Sequence, residues 1–521
     1  MSLPLPAPAT RAGYIPRRKR PSIGLLLPVL LLVCLSLLPL LYVGLKAWQA
    51  GWAEAVHLLW RPYVLGLLRN TLLLMIGVTV VCALIGLSLA WLLERSNLRG
   101  RRVWGVILCL PFAVPAFVSS FTWVSLSASF EGLGGAILVM TLSKYPLVFL
   151  PVAATLRNLD PSLEESARTL GLNRWSIFVK ITLPLLWPSL LAGSLLIALH
   201  MLVEFGALSI IGLQTFTTAI YQQFELEFSN ANAAMLSAVL LALCLMLLWL
   251  ELRVRGKGRH VRIGQGAARH AEQVRLGGWA VGGQLYCLLL AVIGSGVPLG
   301  MLAYWLAVGS SAAFPVAAIG EALLSSLALS LGGAALCLVL AVPVGLLVVR
   351  YKGRLALWAE RLPYLLHALP GLVIALTLVY FALHYVPALY QTSGLLLIAY
   401  ALLFLPLAQA PIRTALNKAA PQLEEAARTL GASSLTAFVR VTLPIIFPAL
   451  GAAFALVFLD AMKELTATLL LSPTGLNTLA TEVWAHTANV EFAAAAPYAA
   501  LLILVSGLPV YLLTTRMYLS R

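Results

Sequence analysis

One polar segment occurs twice in a chain that is otherwise dominated by apolar runs. Residues 161–190 read PSLEESARTLGLNRWSIFVKITLPLLWPSL, and residues 421–450 read PQLEEAARTLGASSLTAFVRVTLPIIFPAL. The two copies lie about 260 residues apart, align without a gap and agree at roughly half of their positions. Such a repeat indicates a duplicated unit, so the fold must be built from two related halves.

Composition sets the class of protein. The chain is 61% hydrophobic and 10% charged, with a mean hydropathy of +0.94, whereas soluble domains are only about half apolar. It is therefore predicted to be an integral membrane protein. The net charge of +16 does not indicate nucleic-acid binding, because the basic residues are spread over short loops. Six cysteines lie singly within apolar runs, so we expect neither disulfides nor a metal site, and no cofactor in this chain.

Twelve apolar runs approach or exceed the roughly 20 residues that a membrane-spanning helix needs. The first half has runs at 24–45, 70–93, 103–126, 133–156, 183–212 and 232–251, and the second at 282–307, 323–349, 362–386, 393–416, 445–471 and 496–515. We predict an all-α membrane protein with twelve transmembrane helices in two tandem six-helix repeats. Its predicted parts are a basic tail (1–22), a first half (23–252), a basic linker (253–280) and a second half (281–521).

Lysine and arginine indicate the orientation of the chain. They are frequent in alternate loops, including the N-terminal tail, both copies of the repeated segment, the central linker and the C-terminus. The intervening loops 214–232 and 472–493 contain glutamates but no lysine or arginine. Because positive loops stay on the cytoplasmic side, both termini and both repeated segments are predicted to be cytoplasmic.

Each repeated segment begins with the pattern of a short amphipathic helix. Leu163, Ala167 and Leu170 share one face, as do the matching residues of the second copy. Asp160 is a suitable N-cap, and Gly171 is a suitable stop. The second copy has Ala420 in place of the cap.

Charged pairs add little to the stability of these helices. Glu164 with Arg168, and Glu424 with Arg428, are i, i+4 pairs worth only a few tenths of a kcal/mol each. A solvated loop helix is one interpretation, but two copies in equivalent loops favour a function.

The repeated segment resembles the EAA loop of the binding-protein-dependent ABC importer permeases, which has Glu-Ala-Ala, a later Gly and then Leu-Pro. The first copy has Glu165-Ser166-Ala167, Gly171 and Leu183-Pro184. The second has Glu425-Ala426-Ala427, Gly431 and Leu443-Pro444. Only Ser166 departs from the triplet, and it is small.

The resemblance implies partners and a location. Each EAA-like helix would dock into one of two copies of a cytoplasmic ATPase, which bind ATP, while a periplasmic binding protein delivers the substrate at a bacterial inner membrane. The docking residues implied are Glu164, Glu165, Ala167, Arg168, Gly171, Glu424, Glu425, Ala427, Arg428 and Gly431. The chain itself has no GxxxxGK[ST] phosphate-binding loop and no catalytic constellation, so it is predicted to be a transport subunit and not an enzyme.

Ionisable residues inside predicted spans are the second group of candidates. Glu204 and Glu464 occupy equivalent places in the fifth helix of each half. Asp460, Lys463 and Glu464 lie at i, i+3 and i+4, so we expect them to pair along one helix. Charges within a span cost roughly 2.5 to 3.5 kcal/mol and usually face the bundle interior. Glu204, Asp460, Lys463 and Glu464 therefore either clasp helices together or line the pathway or gate.

The cargo is suggested by a narrower resemblance. The stretch 463–484, KELTATLLLSPTGLNTLATEVW, and the fused duplication look like the ferric-iron permeases of this family. Thiamine, polyamine and phosphonate permeases share the EAA pattern and remain alternatives. Two other classes of protein also remain alternatives: a secondary transporter with parallel six-helix repeats, and a membrane scaffold. A scaffold would have no need of two equivalent docking helices.

Overall fold

The protein was analysed as a computed structural model that describes residues 21–50, 60–160, 162–225, 230–255, 273–309, 314–351, 353–367 and 369–518. Most of the predicted basic tail, Pro161 and most of the predicted linker lie outside these ranges. Helices dominate the described residues, whose one extended pairing is an isolated parallel bridge between Ser96 and Val274.

Within its described residues, the first half contains twelve α-helices. They are α1 (Ile23–Ala50), α2 (Pro62–Arg95), α3 (Arg101–Ile107), α4 (Ala116–Leu126), α5 (Gly132–Lys144), α6 (Pro146–Asn158), α7 (Ser162–Thr169), α8 (Arg174–Ile177), α9 (Leu183–Val203), α10 (Gly206–Ile210), α11 (Phe216–Glu225) and α12 (Asn230–Arg255). A π-helical turn, Phe178–Thr182, joins α8 to α9 without a break.

The second half repeats this order with small changes. Its helices are α13 (Trp279–Ala291), α14 (Val297–Val308), α15 (Val316–Arg350), α16 (Arg354–His367), α17 (Gly371–Tyr385), α18 (Ser393–Lys418), α19 (Pro421–Thr429), α20 (Ser434–Ala437), α21 (Leu443–Met462), α22 (Thr466–Leu471), α23 (Leu479–Ala488) and α24 (Phe492–Tyr518). The π-helical turn recurs as Phe438–Thr442, between α20 and α21.

The third predicted span of each half is bent, not straight. In the described part of the chain, nine helices are long and apolar enough to cross a membrane, and two bent pairs raise the number to eleven. The bent pairs turn by 86° before α4 and by 111° before α17. Pro115 and Pro370 stand at these bends as the residues before the helices and do not lie within them, because proline cannot donate to a preceding turn.

The fifth predicted spans, 183–212 and 445–471, are also interrupted. In the first half α9 ends at Val203 and α10 begins at Gly206; in the second, α21 ends at Met462 and α22 begins at Thr466. The prediction of continuous helices was therefore wrong here. Apolar residues continue on both sides of each break, and the glutamate in the break accepts a hydrogen bond from a nearby backbone N–H, so composition does not reveal where the helix stops. Glu204 and Glu464 lie in these breaks.

The two halves exchange their first helices. α1 packs on α15, α16 and α17 of the second half, and α14 packs on α4 of the first. Two hydrogen bonds join the start of the second half to the first half: Trp104 Nε1 on α3 donates to Gln284 Oε1 on α13 at 2.7 Å, and Trp305 Nε1 on α14 donates to Ser125 Oγ on α4 at 3.0 Å. The sequence halves are therefore interlocked in space.

Each half has a tightly packed three-helix core. α2, α6 and α9 pack together in the first half, as α15, α18 and α21 do in the second. Gly193 on α9 allows the closest approach, because a Cβ atom there would lie 2.8 Å from the carbonyl oxygen of Leu147. This core carries α9 and α21, the helices that end at the breaks containing Glu204 and Glu464.

Candidate functional site

A cavity of about 250 Å³ lies between the two halves, at the breaks after α9 and α21. Much of its lining comes in pairs from equivalent positions, such as Glu204 with Glu464 and Ala116 with Gly371. The ionisable residues that line it are Lys144, His200, Glu204, His367, Asp460, Lys463 and Glu464. All four residues predicted for the pathway or gate are thus brought together, along with three that were not among those predictions.

The two glutamates make the same local contact. Glu204 Oε1 accepts a hydrogen bond from the Ala207 backbone N–H at 3.2 Å, and Glu464 Oε1 accepts from Ala467 N–H at 2.8 Å. Each carboxylate therefore caps the short helix that follows its break, where the helix dipole favours negative charge. The interpretation as a purely structural clasp and the pathway interpretation both fit this contact.

The expected pairing of Asp460, Lys463 and Glu464 along one helix does not occur. The helix ends at Met462, so Lys463 turns toward the other half, and its Nζ lies 3.4 Å from the Phe112 carbonyl oxygen. Within the described residues no ion pair joins Lys463 to Asp460 or Glu464 at 4.0 Å or less. A cation from one half therefore contacts the bend of the other.

Two histidines of the cavity are held by backbone carbonyls. His200 Nδ1 lies 2.9 Å from Leu196 O, and His367 Nδ1 lies 2.7 Å from Leu403 O. Among the described residues no group of three or more His, Cys, Asp and Glu side chains is arranged to hold a metal ion. The ionisable side chains that line the cavity are therefore spread around it and are not gathered at one point.

The EAA-like helices form as α7 and α19. Asp160 Oδ1 accepts from Ser162 N–H at 3.0 Å, while Ala420 provides no side-chain cap, as predicted. Gly171 and Gly431 end the two helices at φ values of +82° and +89°, which L side chains rarely adopt. Glu165 and Glu425 are exposed.

The apolar stripe of these helices is largely uncovered. Ala167 is buried, but Leu163 and Leu423 are exposed, and Leu170 and Leu430 are 82% and 89% exposed. Trp175 and Leu435, in the turns that follow, are exposed too. Exposed apolar side chains at equivalent positions of both halves are typical of a surface that another protein covers.

Glu164 and Glu424 have partners that the i, i+4 pattern did not indicate. Glu164 Oε1 lies 3.2 Å from Arg95 Nη2, and Glu424 Oε1 lies 3.2 Å from Arg350 Nη2. The same oxygens accept hydrogen bonds from Thr182 and Thr442. The sequence contained a pattern that could have indicated these contacts. Both arginines come just after the second apolar run of their half, and both threonines directly precede the repeated Leu-Pro.

Comparison with known proteins decides the family. The family described as the binding-protein-dependent transport system inner membrane component matches this chain twice, over residues 83–255 and 338–518. The chain belongs to this family. The resemblance noted from the EAA-like segments is thus confirmed, and so is the presence of two fused permease repeats.

Relatives of this permease fall into two sizes. The Fe(3+)-transport system permease protein FbpB 2 of Haemophilus influenzae is 46% identical over 503 residues, which cover 95% of this chain and 98% of that one. The sulfate transport system permease protein CysT of Escherichia coli is 33% identical over 236 residues, 41% of this chain but 84% of its own length. The molybdenum transport system permease protein ModB of Escherichia coli is 30% identical over 181 residues, which cover 30% of this chain and 79% of that one. Some relatives thus correspond to about one half of this permease.

Proposed function

We propose that this chain is the membrane permease of an ATP-driven importer of ferric iron. The observation that carries the choice of cargo is the 46% identity, over nearly the whole of both chains, to a permease named for Fe(3+) transport. The cavity supports it, because Glu204 and Glu464 place two carboxylates where a cation crossing between the halves would need compensating charge. Iron is the transported substrate in this proposal.

The proposed arrangement has twelve crossings, with both termini and both EAA-like helices in the cytoplasm. The two bent pairs and α24 supply the three crossings beyond the nine long helices. Discontinuous helices are a common way to build a transport site inside a membrane. Cysteines placed at Glu165 and Glu425 should react only with reagents that reach the cytoplasm; labelling from outside would overturn this orientation.

Two copies of an ATPase would bind α7 and α19, one each, and would hold the ATP. The exposed leucines of the two helices support docking at two equivalent surfaces. A periplasmic binding protein would release iron into the cavity from the other side. ATP binding would then bias a rigid-body motion of the two halves that opens the cavity to one side at a time.

Reconstitution tests this function. The permease, its ATPase and its binding protein are placed in proteoliposomes, and uptake of radioactive Fe³⁺ is measured with and without ATP. We expect uptake only with ATP and all three components. Competing sulfate, molybdate, thiamine, a polyamine or a phosphonate should not reduce it; uptake of one of these in place of iron would replace the proposed cargo. Uptake by the permease alone under an ion gradient would identify a secondary transporter and overturn the proposal.

A further inference from the structure

A single carboxylate oxygen joins three structural elements in the first half. Glu164 Oε1, on α7, lies 3.2 Å from Arg95 Nη2 at the end of α2. The same atom accepts a hydrogen bond of 3.0 Å from Thr182 Oγ1, in the π-helical turn that begins α9. The EAA-like helix is therefore bonded to the ends of two core helices.

The second half builds the same arrangement from equivalent residues. Glu424 Oε1, on α19, lies 3.2 Å from Arg350 Nη2 and accepts from the Thr442 hydroxyl. Arg350 Nη2 also donates to the Ala419 carbonyl oxygen at 3.2 Å. The two halves differ at about half of the positions in the repeated segment, yet the arginine, glutamate and threonine occur in both. We call each set a tether.

Because the arginines are buried, loss of either partner of a tether would be costly. Arg95 is 5% exposed, and the side chain of Arg350 is 13% exposed. An ion pair on an open surface adds little, but loss of one partner from a buried pair leaves a charge uncompensated. In the first half the backbone of Arg95 is fixed as well, because its carbonyl oxygen accepts from Val274 N–H at 2.8 Å.

A continuous helical rod leads from each tether to the cavity. The turn Phe178–Thr182 runs directly into α9, which ends at Val203, one residue before Glu204. At 1.5 Å per residue, the rod from Thr182 to Glu204 is about 33 Å long. The turn Phe438–Thr442 and α21 form the matching rod to Glu464. A displacement of either EAA-like helix that acts through its tether can therefore be transmitted along this helix to the cavity.

We propose that Arg95 and Arg350 are positioning residues: through Glu164 and Glu424, they hold each EAA-like helix to the base of its pathway helix so that both move as one body. The tether converts displacement of α7 and α19 into displacement of the helix ends at Glu204 and Glu464. This inference rests on the proposed function, because it assumes that an ATPase moves the EAA-like helices.

The experiment compares transport with ATP hydrolysis in the reconstituted system. The first variant combines Thr182→Val with Thr442→Val, which removes the hydroxyls from the tethers and leaves the ion pairs. The second combines Arg95→Gln with Arg350→Gln. Thr182→Ser with Thr442→Ser retains the hydroxyls and is the conservative variant. Arg413→Gln is the matched control, because Arg413 pairs with Glu360 outside the tethers.

We expect iron transported per ATP hydrolysed to fall roughly fivefold or more in the valine and glutamine variants. ATPase binding should persist, and the serine variant and the control should keep the wild-type ratio. Hydrogen exchange should rise in the turns 178–182 and 438–442 of the valine variant. An unchanged ratio in a folded valine variant would overturn the tether. Failure of the wild-type protein to transport iron would instead count against the proposed function.

Discussion

Tyr221 and Trp484, which occupy equivalent positions of α11 and α23, meet edge to face, with ring centroids 5.8 Å apart and an interplanar angle of 76°. Phe205, beside the break after α9, packs on the other side of Tyr221 at 4.8 Å. A pair of equivalent residues can touch only at the pseudo-two-fold axis that relates the halves. The aromatic pair therefore lies at this axis, and Phe205, which lines the cavity, joins the pair to it.

The first prediction is that this aromatic pair keeps the solute pathway closed in the absence of ATP. Replacing Tyr221 and Trp484 together by alanine should let solute leak through the permease without ATP. An aromatic pair contributes about 0.5 to 1.5 kcal/mol beyond its buried area, so the open population should rise roughly 2- to 12-fold. Leak of Fe³⁺ from loaded proteoliposomes measures it. Two control variants should show no leak: Tyr221→Phe, which keeps the ring, and Tyr385→Ala, which removes an exposed ring elsewhere. If the double-alanine variant does not leak Fe³⁺, the aromatic pair does not close the pathway.

The second prediction separates charge from capping at Glu204 and Glu464. Glutamine keeps an oxygen that can accept from Ala207 or Ala467 N–H, but it removes the negative charge. We expect the Glu204→Gln, Glu464→Gln double variant to retain its unfolding temperature while iron uptake falls about tenfold or more, a loss of at least about 1.4 kcal/mol. Glu321→Gln, at an exposed position, is the control. Normal uptake by the double variant would leave only the capping role.

The third prediction tests the exposed leucines of α7 and α19. Leu170→Glu with Leu430→Glu should abolish co-purification of the ATPase, because a charge replaces apolar area at both docking surfaces. The unfolding temperature of the permease should not change, since both side chains are exposed. The same substitution at Leu383, which is exposed far from the EAA-like helices, is the control. Normal co-purification of the double variant would count against docking at this surface.

The fourth prediction concerns the close contact between α6 and α9. Gly193→Ala would place a Cβ atom 2.8 Å from Leu147 O and 2.9 Å from Val148 Cα, both backbone atoms that cannot turn away. We expect a loss of about 1 to 3 kcal/mol in the free energy of unfolding. A Cβ atom at Gly451, on α21, meets nothing within 4 Å, so Gly451→Ala should be neutral or slightly stabilising. Equal thermal stability of the two variants in detergent would contradict this packing.

Sequence reasoning was most successful where a local pattern carries the information. The duplication, the apolar runs and the EAA-like helices with their caps at Asp160 and stops at Gly171 and Gly431 all follow from residue order. It was least successful at the breaks near Glu204 and Glu464. Hydropathy averages over a window of residues, so an apolar run looks continuous even where the helix stops and a carboxylate caps the next one.

Residue order alone is enough to show a duplicated helical membrane protein with two equivalent polar helices, because periodicity and repetition can be recognised without knowing which residues are neighbours in space. Only the tertiary structure decided which residues meet: Arg95 with Glu164, Tyr221 with Trp484, and Lys463 with the bend at Phe112. These partners are far apart in the chain, and two of the three contacts cross between the halves. Long-range pairing arises from helix packing and from the exchange of first helices, which no local pattern encodes.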